Sequence, residues 1–158
     1  MKNGSSEKHV ISASAIIPAR RELVYSIIAN YKDGHRRIIP KQFSDITVEQ
    51  GGIGAGTVIR FQMSLLGKTR TLRAQVTEPE PGRVLAETYL DGNDTVTTFT
   101  VDPGSAPADS RVTISTEMPA ASGVRGMIER TVTGMLLRPI YAKELENLAR
   151  VATGPFAS

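Results

Sequence analysis

The segment TVIRFQMSLLGKTRTLRAQV, residues 57–76, determines the fold class of this chain. Apolar and polar side chains alternate on both sides of Gly67-Lys68, which is the pattern of two half-buried strands joined by a tight turn. A turn at these two residues pairs Phe61 with Ala74. The segment therefore predicts a β-hairpin with one apolar face, and such a face needs a covering layer.

Similar alternating segments lie before and after this hairpin. They are bounded by turn-forming residues, because glycine tolerates positive φ, proline fixes φ, and Asn and Asp stabilise turns through their side chains. The hairpin strands are 57–66 and 69–77, and the other predicted strands are 9–17, 43–50, 83–90, 95–102 and 110–118. The short connections between most consecutive strands predict an antiparallel sheet.

The turns also predict which residues share the inner face of the sheet. Each turn fixes a register, and the register of one hairpin carries over to the next strand. Three uncharged rows result: Ile59, Val76, Val84, Val101 and Val112; then Phe61, Ala74, Ala86, Phe99 and Ile114; and then Met63, Leu72, Thr88, Thr97 and Thr116. The same register places Glu87 and Glu117 on the outer face, although both look like catalytic carboxylates.

Helices are predicted at two places. Pro18 begins a first helix, and a second short helix follows at 35–39, so both lie between strands 1 and 2. A long helix spans 122–152, with Ser122 as its cap, a kink at Pro139 and a stop at Gly154. Its predicted apolar stripe contains Val124, Met127, Ile128, Thr131, Met135, Pro139, Ala142, Leu145 and Ala149, with Glu129, Lys143, Glu144, Asn147 and Arg150 opposite.

These elements together predict an α+β fold of the helix-grip type. In this architecture a seven-stranded antiparallel sheet wraps around a long C-terminal helix. The chain is long enough for one domain with a substantial core. We expect a disordered leader at residues 1–8, a single domain at residues 9–153 and a tail at residues 154–158.

The composition excludes several kinds of chemistry. The 158 residues include no cysteine, no tryptophan and only two histidines, His9 and His35. A thiol nucleophile and a Cys-ligated metal are therefore impossible, and we expect neither a metal nor another cofactor. The net charge of +3, from 19 basic and 16 acidic residues, is too small an imbalance to indicate nucleic-acid binding.

The N-terminal residues and the hydropathy predict a location. The first residues, MKNGSSEKHV, lack the apolar segment of a secretory signal. No apolar run approaches the ~20 residues that a membrane-spanning helix needs. Together with the absence of cysteine, these features predict a cytoplasmic protein without a membrane span.

The order of elements resembles that of the START-like or SRPBCC superfamily over residues 9–152. Four segments resemble its polyketide cyclase/dehydrase and lipid-transport branch, and the glycine-rich one is also similar to a loop of pollen-allergen-type proteins. They are 17–25, 49–57, 78–83 and 97–101. The resemblance implies a hydrophobic cavity between the sheet and the last helix, which binds lipids, sterols, polyketides or similar molecules. Some relatives cyclise or dehydrate the bound compound, so the fold does not name a substrate.

The candidate ligand-binding residues follow from the predicted inner face and helix stripe. They are Ile39, Phe61, Met63, Leu72, Ala74, Ala86, Thr88, Thr97, Phe99, Ile114, Thr116, Met127, Thr131 and Met135. The small Ala74 and Ala86 predict either a hollow for a ligand or close packing of the helix. The threonines form either hydrogen-bonding groups for a ligand or a ladder within the sheet. The methionines form either an adaptable wall or ordinary core.

Three residues are candidates for catalysis. His35 is the only histidine far from the N-terminus, and it titrates near neutrality, so it is a candidate base; the alternative is a partly exposed loop residue. Tyr31 lies close to it in sequence. Arg138 falls on the predicted stripe, where it either meets an anionic ligand group or extends its head to solvent. The glycine-rich loop 51–56 precedes a strand, not a helix, so a turn is favoured over a nucleotide site.

Three functions remain open at this point. The leading prediction is binding of a small hydrophobic molecule between the sheet and the C-terminal helix. The first alternative is a cyclase, aromatase or dehydratase that uses the same cavity. The second is a partner-binding module with an exposed patch at Leu136, Leu137 and Ile140. The sequence leaves the oligomeric state open between a monomer and a homodimer.

Overall fold

A computed structural model describes residues 8–91, 94–120 and 123–155 of the chain, with the side chain of Arg130 left out. The elements are β1 (Lys8–Ile17), α1 (Arg21–Ala29), α2 (Gly34–Ile38), β2 (Phe43–Gln50), β3 (Val58–Leu65), β4 (Lys68–Glu80), β5 (Val84–Tyr89), β6 (Val96–Pro103), β7 (Ser110–Pro119) and α3 (Gly123–Ala152). The predicted leader before Lys8, the predicted cap at Ser122 and the last three tail residues lie outside the described residues.

The sheet has the predicted architecture. Its seven antiparallel strands lie in the order β1-β7-β6-β5-β4-β3-β2, so β1 and β2 form the two edges. The helices α1 and α2 connect these edges, and α3 packs against β1, α1 and α2. The helix-grip prediction is therefore confirmed, with one apolar face of the sheet turned toward the helices.

The register is as predicted for the strands nearest the N-terminal edge. Val101 pairs with Val112 and Phe99 with Ile114 in β6 and β7. In β1 the fully buried Ile11 and Ile17 lie on the inner side. In β6 and β7 the charged residues Asp102, Arg111 and Glu117 lie on the outer side, so the apolar side identifies the inner face directly.

The hairpin between β3 and β4 turns one residue earlier than predicted. Leu66 and Gly67 both have positive φ, 51° and 77°, which is the conformation of a two-residue turn suited to a twisted hairpin. As a result Phe61 pairs with Leu72 instead of Ala74. The shift is an even number of residues, so the inner face of both strands is the predicted one.

The predicted register of β5 is wrong. A bulge between Thr77 and Glu80 shifts the pairing, so that Val76 lies opposite Glu87. A shift by an odd number of residues exchanges the two faces of a strand. Leu85, Glu87 and Tyr89 therefore occupy the inner face, whereas Val84, Ala86 and Thr88 are on the outer face.

The predicted stripe of α3 is also wrong over most of its length. Val124, Met127, Ile128, Thr131, Met135, Pro139 and Ala142 are all exposed. The buried side contains Leu137, Ile140, Tyr141, Glu144, Leu145, Asn147, Leu148 and Ala152. Leu137 and Ile140 belong to the core, so they do not form the exposed contact patch that the partner-binding alternative requires. The helix continues through Pro139.

The glycine-rich loop is a structural connection between β2 and β3. Its backbone joins the end of α1, because Tyr31 donates its amide hydrogen to Gly52 O at 2.8 Å. The amide of Ala55 donates to the Glu78 carboxylate at 2.9 Å, and Tyr25 donates its hydroxyl to the same carboxylate at 2.7 Å. The anion at this loop is thus a side chain of the protein itself, in agreement with the predicted turn.

Candidate ligand-binding site

A small inner chamber lies between the sheet and the C-terminal half of α3. Its volume is about 40 Å³. The lining combines aromatic rings, aliphatic side chains and two carboxyl groups. These residues are His35, Ile39, Phe43, Ile46, Ile59, Phe61, Glu87, Tyr89, Thr97, Phe99, Tyr141 and Glu144. The chamber is therefore aromatic and acidic at once.

A larger outer chamber adjoins it toward the N-terminal half of α3. Its volume is about 300 Å³. Phe43, Tyr89 and Tyr141 line both chambers and so form the boundary between them. The rest of the outer lining is mainly apolar and comprises Met63, Leu65, Arg70, Leu72, Thr95, Thr116, Met118, Thr133, Leu136 and Leu137. Together the chambers form a cavity with a polar inner end and an apolar outer part.

Glu87 is the centre of a buried polar cluster. The bulge in β4 turns it inward, where Tyr31 donates its hydroxyl to Glu87 Oε1 at 2.5 Å. His35 Nε2 lies 3.6 Å from the same oxygen atom. The His35 ring is stacked on Tyr31, with 4.3 Å between the ring centroids, and meets Phe99 edge to face. The short helix α2 thereby fixes His35 against the carboxylate.

Glu144 approaches the same chamber from α3. Only 4% of the residue is exposed, and its carboxyl group lines the cavity. Burial and, secondarily, the negative charge of Glu87 raise its pKa well above the ordinary value. No hydrogen bond joins this carboxyl group to another residue in the part of the chain that the structure describes. Glu144 is thus a buried acid without a hydrogen-bond partner among the described residues.

His35 is held in a defined tautomer. Its Nδ1 lies 2.8 Å from Ile28 O, and a carbonyl oxygen can only accept, so Nδ1 carries the hydrogen atom. Burial lowers the pKa of His35, although the nearby Glu87 and the hydrogen bond to Ile28 oppose this effect. A neutral imidazole with its hydrogen on Nδ1 presents the Nε2 lone pair toward the chamber. His35 is therefore able to accept a proton at Nε2.

Hydroxyl groups link the two chambers. Thr97 and Thr116 are hydrogen-bonded across β6 and β7 at 2.8 Å, as the ladder alternative requires, and they also line the inner and the outer chamber respectively. Thr116 also forms a hydrogen bond with the Tyr141 hydroxyl. Burial raises the pKa of Tyr141 to about 12, so the phenol remains protonated. Burial raises the pKa of Tyr89 above its ordinary value as well.

The structure brings together only part of the predicted site. Ile39, Phe61, Thr97 and Phe99 line the inner chamber, and Met63, Leu72 and Thr116 line the outer one. Ala74 and Ile114 are buried in the core without lining either chamber. Ala86 and Thr88 lie on the opposite face of β5, and Met127, Thr131 and Met135 point away from the cavity.

The three candidate catalytic residues are separated in the same way. His35 lines the inner chamber, and Tyr31 lies directly behind it, hydrogen-bonded to Glu87. Arg138 is exposed, and its guanidinium lies over Gly134 on the outside of α3. This placement agrees with the alternative in which the head of Arg138 extends to solvent.

The sequence interpretation missed Glu87, Tyr89, Tyr141 and Glu144. A signal for the helix residues was present, because Tyr141 and Glu144 fall at helical spacing between Leu137 and Leu148. In β5 the larger apolar residues, Leu85 and Tyr89, flank Glu87 at a spacing of two. Both patterns imply a buried glutamate. The general rule that charged residues lie on the surface argues against such an interpretation.

A seven-stranded antiparallel sheet with a cavity beside its long C-terminal helix defines the helix-grip class. The family model described as "Polyketide cyclase / dehydrase and lipid transport" matches residues 8–153 of this chain. The chain belongs to that family. No curated protein matches it.

Several solved structures have the same fold as this chain. The KanY protein, determined by NMR, is 27% identical, with a TM-score of 0.80 over 94% of this chain and 99% of that one. The Zhui aromatase/cyclase of Streptomyces is 14% identical, with a TM-score of 0.74 over 94% and 98%. A START superfamily protein of Mycobacterium smegmatis is 15% identical, with a TM-score of 0.72 over 92% and 99%. The last two show the fold alone.

Two further observations concern membrane spans and metal ligands. No helix within residues 8–91, 94–120 and 123–155 combines the length and hydropathy of a membrane span. Nor do these described residues contain three or more His, Cys, Asp or Glu side chains that are grouped so as to hold a metal ion.

Proposed function

We propose that the protein binds a small, mostly apolar molecule that carries one polar group. The observation behind this proposal is the division of the cavity into an apolar outer chamber of about 300 Å³ and a polar inner chamber of about 40 Å³. Each 100 Å² of apolar ligand surface removed from water contributes about 2.5 kcal/mol. The inner carboxyl and hydroxyl groups orient the ligand, as a few placed polar groups do in most binding sites.

Uptake of N-phenyl-1-naphthylamine, a mostly apolar fluorescent probe, tests this function. Thr133→Phe adds a ring inside the outer chamber, because Thr133 lines it. The matched control is Thr131→Phe, which places the same ring two residues away on the exposed side of α3. We expect Thr133→Phe to weaken probe binding by about tenfold or more, since overfilling a packed cavity costs about 1–3 kcal/mol. Thr131→Phe should bind as the unmodified protein does.

Native mass spectrometry of the freshly purified protein provides a second measurement. A bound small molecule in the spectrum of the unmodified protein, absent from that of Thr133→Phe, supports the proposal. If the unmodified protein and Thr133→Phe take up the probe equally and give the same native mass spectrum, the cavity is not the binding site.

A second candidate function is acid–base catalysis, favoured by one observation: Glu144, Glu87 and His35 line the same chamber. The raised pKa of Glu144 keeps its proton available for a carbonyl oxygen. His35 or Glu87 is then placed to remove a proton from the carbon next to that carbonyl. Cyclisation and dehydration of ketones both begin with such a step.

This reaction is tested with 2-decanone, a ketone of simple structure, in deuterated water. We expect the protein to accelerate deuterium exchange next to the carbonyl, which NMR measures directly. Loss of one catalytic acid or base typically costs about 100-fold or more in rate, so Glu144→Gln should abolish most of the acceleration. Binding of 2-decanone without any accelerated exchange leaves the protein as a binder alone.

The proposal also includes the location, the domain and the partner of the protein. The lack of cysteine is consistent with a reducing compartment, so we place the protein in the cytoplasm. We assign the functional unit to a single domain at residues 9–153. Its partner is the small hydrophobic molecule, and the proposal involves no nucleic acid.

A further inference from the structure

We propose that the polar group of the ligand is a protonated amine, held in the inner chamber between Glu87 and Glu144. The molecule bound in the cavity is then an apolar amine, not a fatty acid or a neutral lipid. This inference rests on the ligand-binding function proposed above and names the chemical class of the ligand. The charge, the aromatic lining and the sizes of the two chambers support it.

The inner chamber has acidic groups without a basic counterpart. Glu87 and Glu144 both line it, and among the described residues no lysine or arginine does so. His35 is the one other titratable group with a basic nitrogen there, and burial lowers its pKa. A carboxylate in this chamber has no lysine or arginine beside it among the described lining residues, so a cationic ligand group supplies the opposite charge that favours its ionised form.

The carboxyl group of Glu144 is the feature that points most directly to a ligand. Its side chain is more than nine-tenths buried and faces the chamber, yet its carboxyl group has no hydrogen-bond partner among the described residues. Glu87, by contrast, already accepts the hydroxyl of Tyr31 at 2.5 Å. Among the described residues no fully buried side-chain oxygen or nitrogen lacks a partner, so the carboxyl oxygens of Glu144 open onto the chamber, where a ligand can reach them. An ammonium group supplies three donors, enough for both carboxyl groups.

The aromatic lining is the second feature that favours a cation. The rings of Phe43, Phe61, Phe99, Tyr89 and Tyr141 line the chamber, together with the two carboxyl groups. Phe61 meets Tyr89 edge to face, with 6.1 Å between centroids, so the rings are not stacked flat on each other. Aromatic faces attract ammonium groups, and the attraction increases when water is excluded.

The sizes of the chambers set the shape of the ligand. The inner chamber of about 40 Å³ takes a small head group, and the adjoining chamber of about 300 Å³ takes an apolar chain or ring system. The one basic side chain in the described outer lining is Arg70, which is exposed. A ligand carboxylate in the inner chamber meets the negative charge of Glu87 without any compensating cation. The cavity therefore selects against acids.

Binding of an amine also moves a proton. An ammonium group beside Glu144 favours the ionised carboxyl group, so the bound pair forms either by proton transfer from Glu144 to a neutral amine or by release of that proton to water. No covalent bond forms or breaks in either case except the O–H and N–H bonds that exchange the proton. The titratable groups in and around the chamber are Tyr31, His35, Glu87, Tyr89, Tyr141 and Glu144.

Three ligands that differ only in the head group test the inference. Isothermal titration calorimetry at neutral pH compares decylamine, 1-decanol and decanoate, each below the concentration at which it forms micelles or a separate phase. Because a hydrogen bond to a charged group adds about tenfold or more to affinity, we expect decylamine to bind about tenfold tighter than 1-decanol. We expect decanoate to be the weakest of the three.

Two variants and a control locate the effect. Glu144→Gln and Glu87→Gln should each reduce the preference for decylamine over 1-decanol by about tenfold, while 1-decanol binding changes little. Glu146→Gln, which is exposed on the same helix, should retain the full preference. Thermal melting identifies any variant that fails to fold, and the comparison of ligands on the unmodified protein does not depend on the variants.

The outcomes separate this inference from the function on which it rests. If 1-decanol or decanoate binds as tightly as decylamine, the cavity binds apolar molecules but the amine assignment is wrong. If Glu144→Gln and Glu87→Gln both fold and both keep the preference, the amine lies elsewhere and the assignment is also wrong. If none of the three ligands binds, the proposed ligand-binding function itself is overturned.

Discussion

The two halves of α3 reverse the usual relation between hydrophobicity and burial. In the N-terminal half Val124, Met127 and Met135 are 74%, 68% and 71% exposed. In the C-terminal half Glu144 and Asn147 are 4% and 6% exposed. What a side chain faces, and not its own polarity, therefore determines its burial along this helix.

The difference follows from what each half covers. The inward positions of the N-terminal half include the buried Gly126 and Thr133, which lines the outer chamber. Small residues on this side leave room for the cavity. The C-terminal half lies on the core, where Leu145 and Leu148 are almost completely buried. One half of the helix is a cavity wall, and the other half is part of the core.

The largest expected effect is therefore in the C-terminal half. Leu148→Ala leaves a void among packed side chains, and we expect it to lower the free energy of unfolding by about 3 kcal/mol. Met127→Ala, in the exposed half, should change it by less than about 0.5 kcal/mol. Urea denaturation measures both. Similar losses in the two variants would contradict the division of α3 into a core half and a wall half.

The next effect concerns the polar contact that fixes the C-terminal half to α2. Asn147 donates its side-chain amide to Ile38 O at 3.0 Å, and both residues are buried. Asn147→Ala leaves that carbonyl without its partner, which we expect to cost about 2 kcal/mol of unfolding free energy.

The matched control uses a side-chain hydrogen bond of the exposed half. Thr131 donates to Met127 O at 3.0 Å, but water replaces this contact when it is lost. Thr131→Ala should therefore change the stability by less than about 0.5 kcal/mol. Equal costs in Asn147→Ala and Thr131→Ala would mean that the contact to Ile38 does not fix α3 to α2.

The sequence was sufficient to predict the fold and most of the sheet. Strands such as β6 and β7 have one apolar and one polar side, so alternation alone identifies the face that Phe99 and Ile114 share. The glycines and prolines between strands marked the connections correctly. The turn lies at Leu66-Gly67, one residue earlier than predicted, which shifts the strand pairing by two residues. Because this shift is even, the predicted inner face is unchanged.

The candidate site was only partly predictable. In α3 the inner side contains a glutamate, and a pattern rule that puts charges outside chooses the wrong side. In β5 the register was extended from the turns, and an odd shift at a bulge exchanged the two faces. The bulge that turns Glu87 inward depends on the pairing of β4 with β5 in the folded sheet. The errors in β5 and in α3 both concern residues that line the cavity. Functional sites are where departures from the local sequence pattern are expected.

A smaller effect, visible only as a function of pH, tests the state of Glu144. Burial raises its folded pKa above the ordinary value of 4.5, so the folded protein binds this proton more tightly than the unfolded chain does. The associated stability is complete below pH 4.5 and is lost as the pH rises toward the folded pKa. Within that window the wild type should lose up to about 1.4 kcal/mol per pH unit relative to Glu144→Gln.

Chemical denaturation of both proteins across this pH range measures the difference. Glu129→Gln, which removes an exposed carboxylate from the N-terminal half, is the control for the loss of a charge from α3. A difference between Glu144→Gln and the wild type that stays constant with pH would show that Glu144 is not a buried acid.

The smallest effect is expected on the exposed side of the N-terminal half, where the sequence interpretation and the structure disagree most. If Met127 and Met135 formed the cavity wall, replacing both by glutamine would remove apolar contacts with the ligand and weaken binding of N-phenyl-1-naphthylamine. In the structure both side chains point to solvent, at 68% and 71% exposure. We therefore expect the double variant to bind the probe within about twofold of the wild type and to unfold within about 0.5 kcal/mol of it. A clear loss of binding would mean that α3 turns this side toward the cavity when a ligand is present.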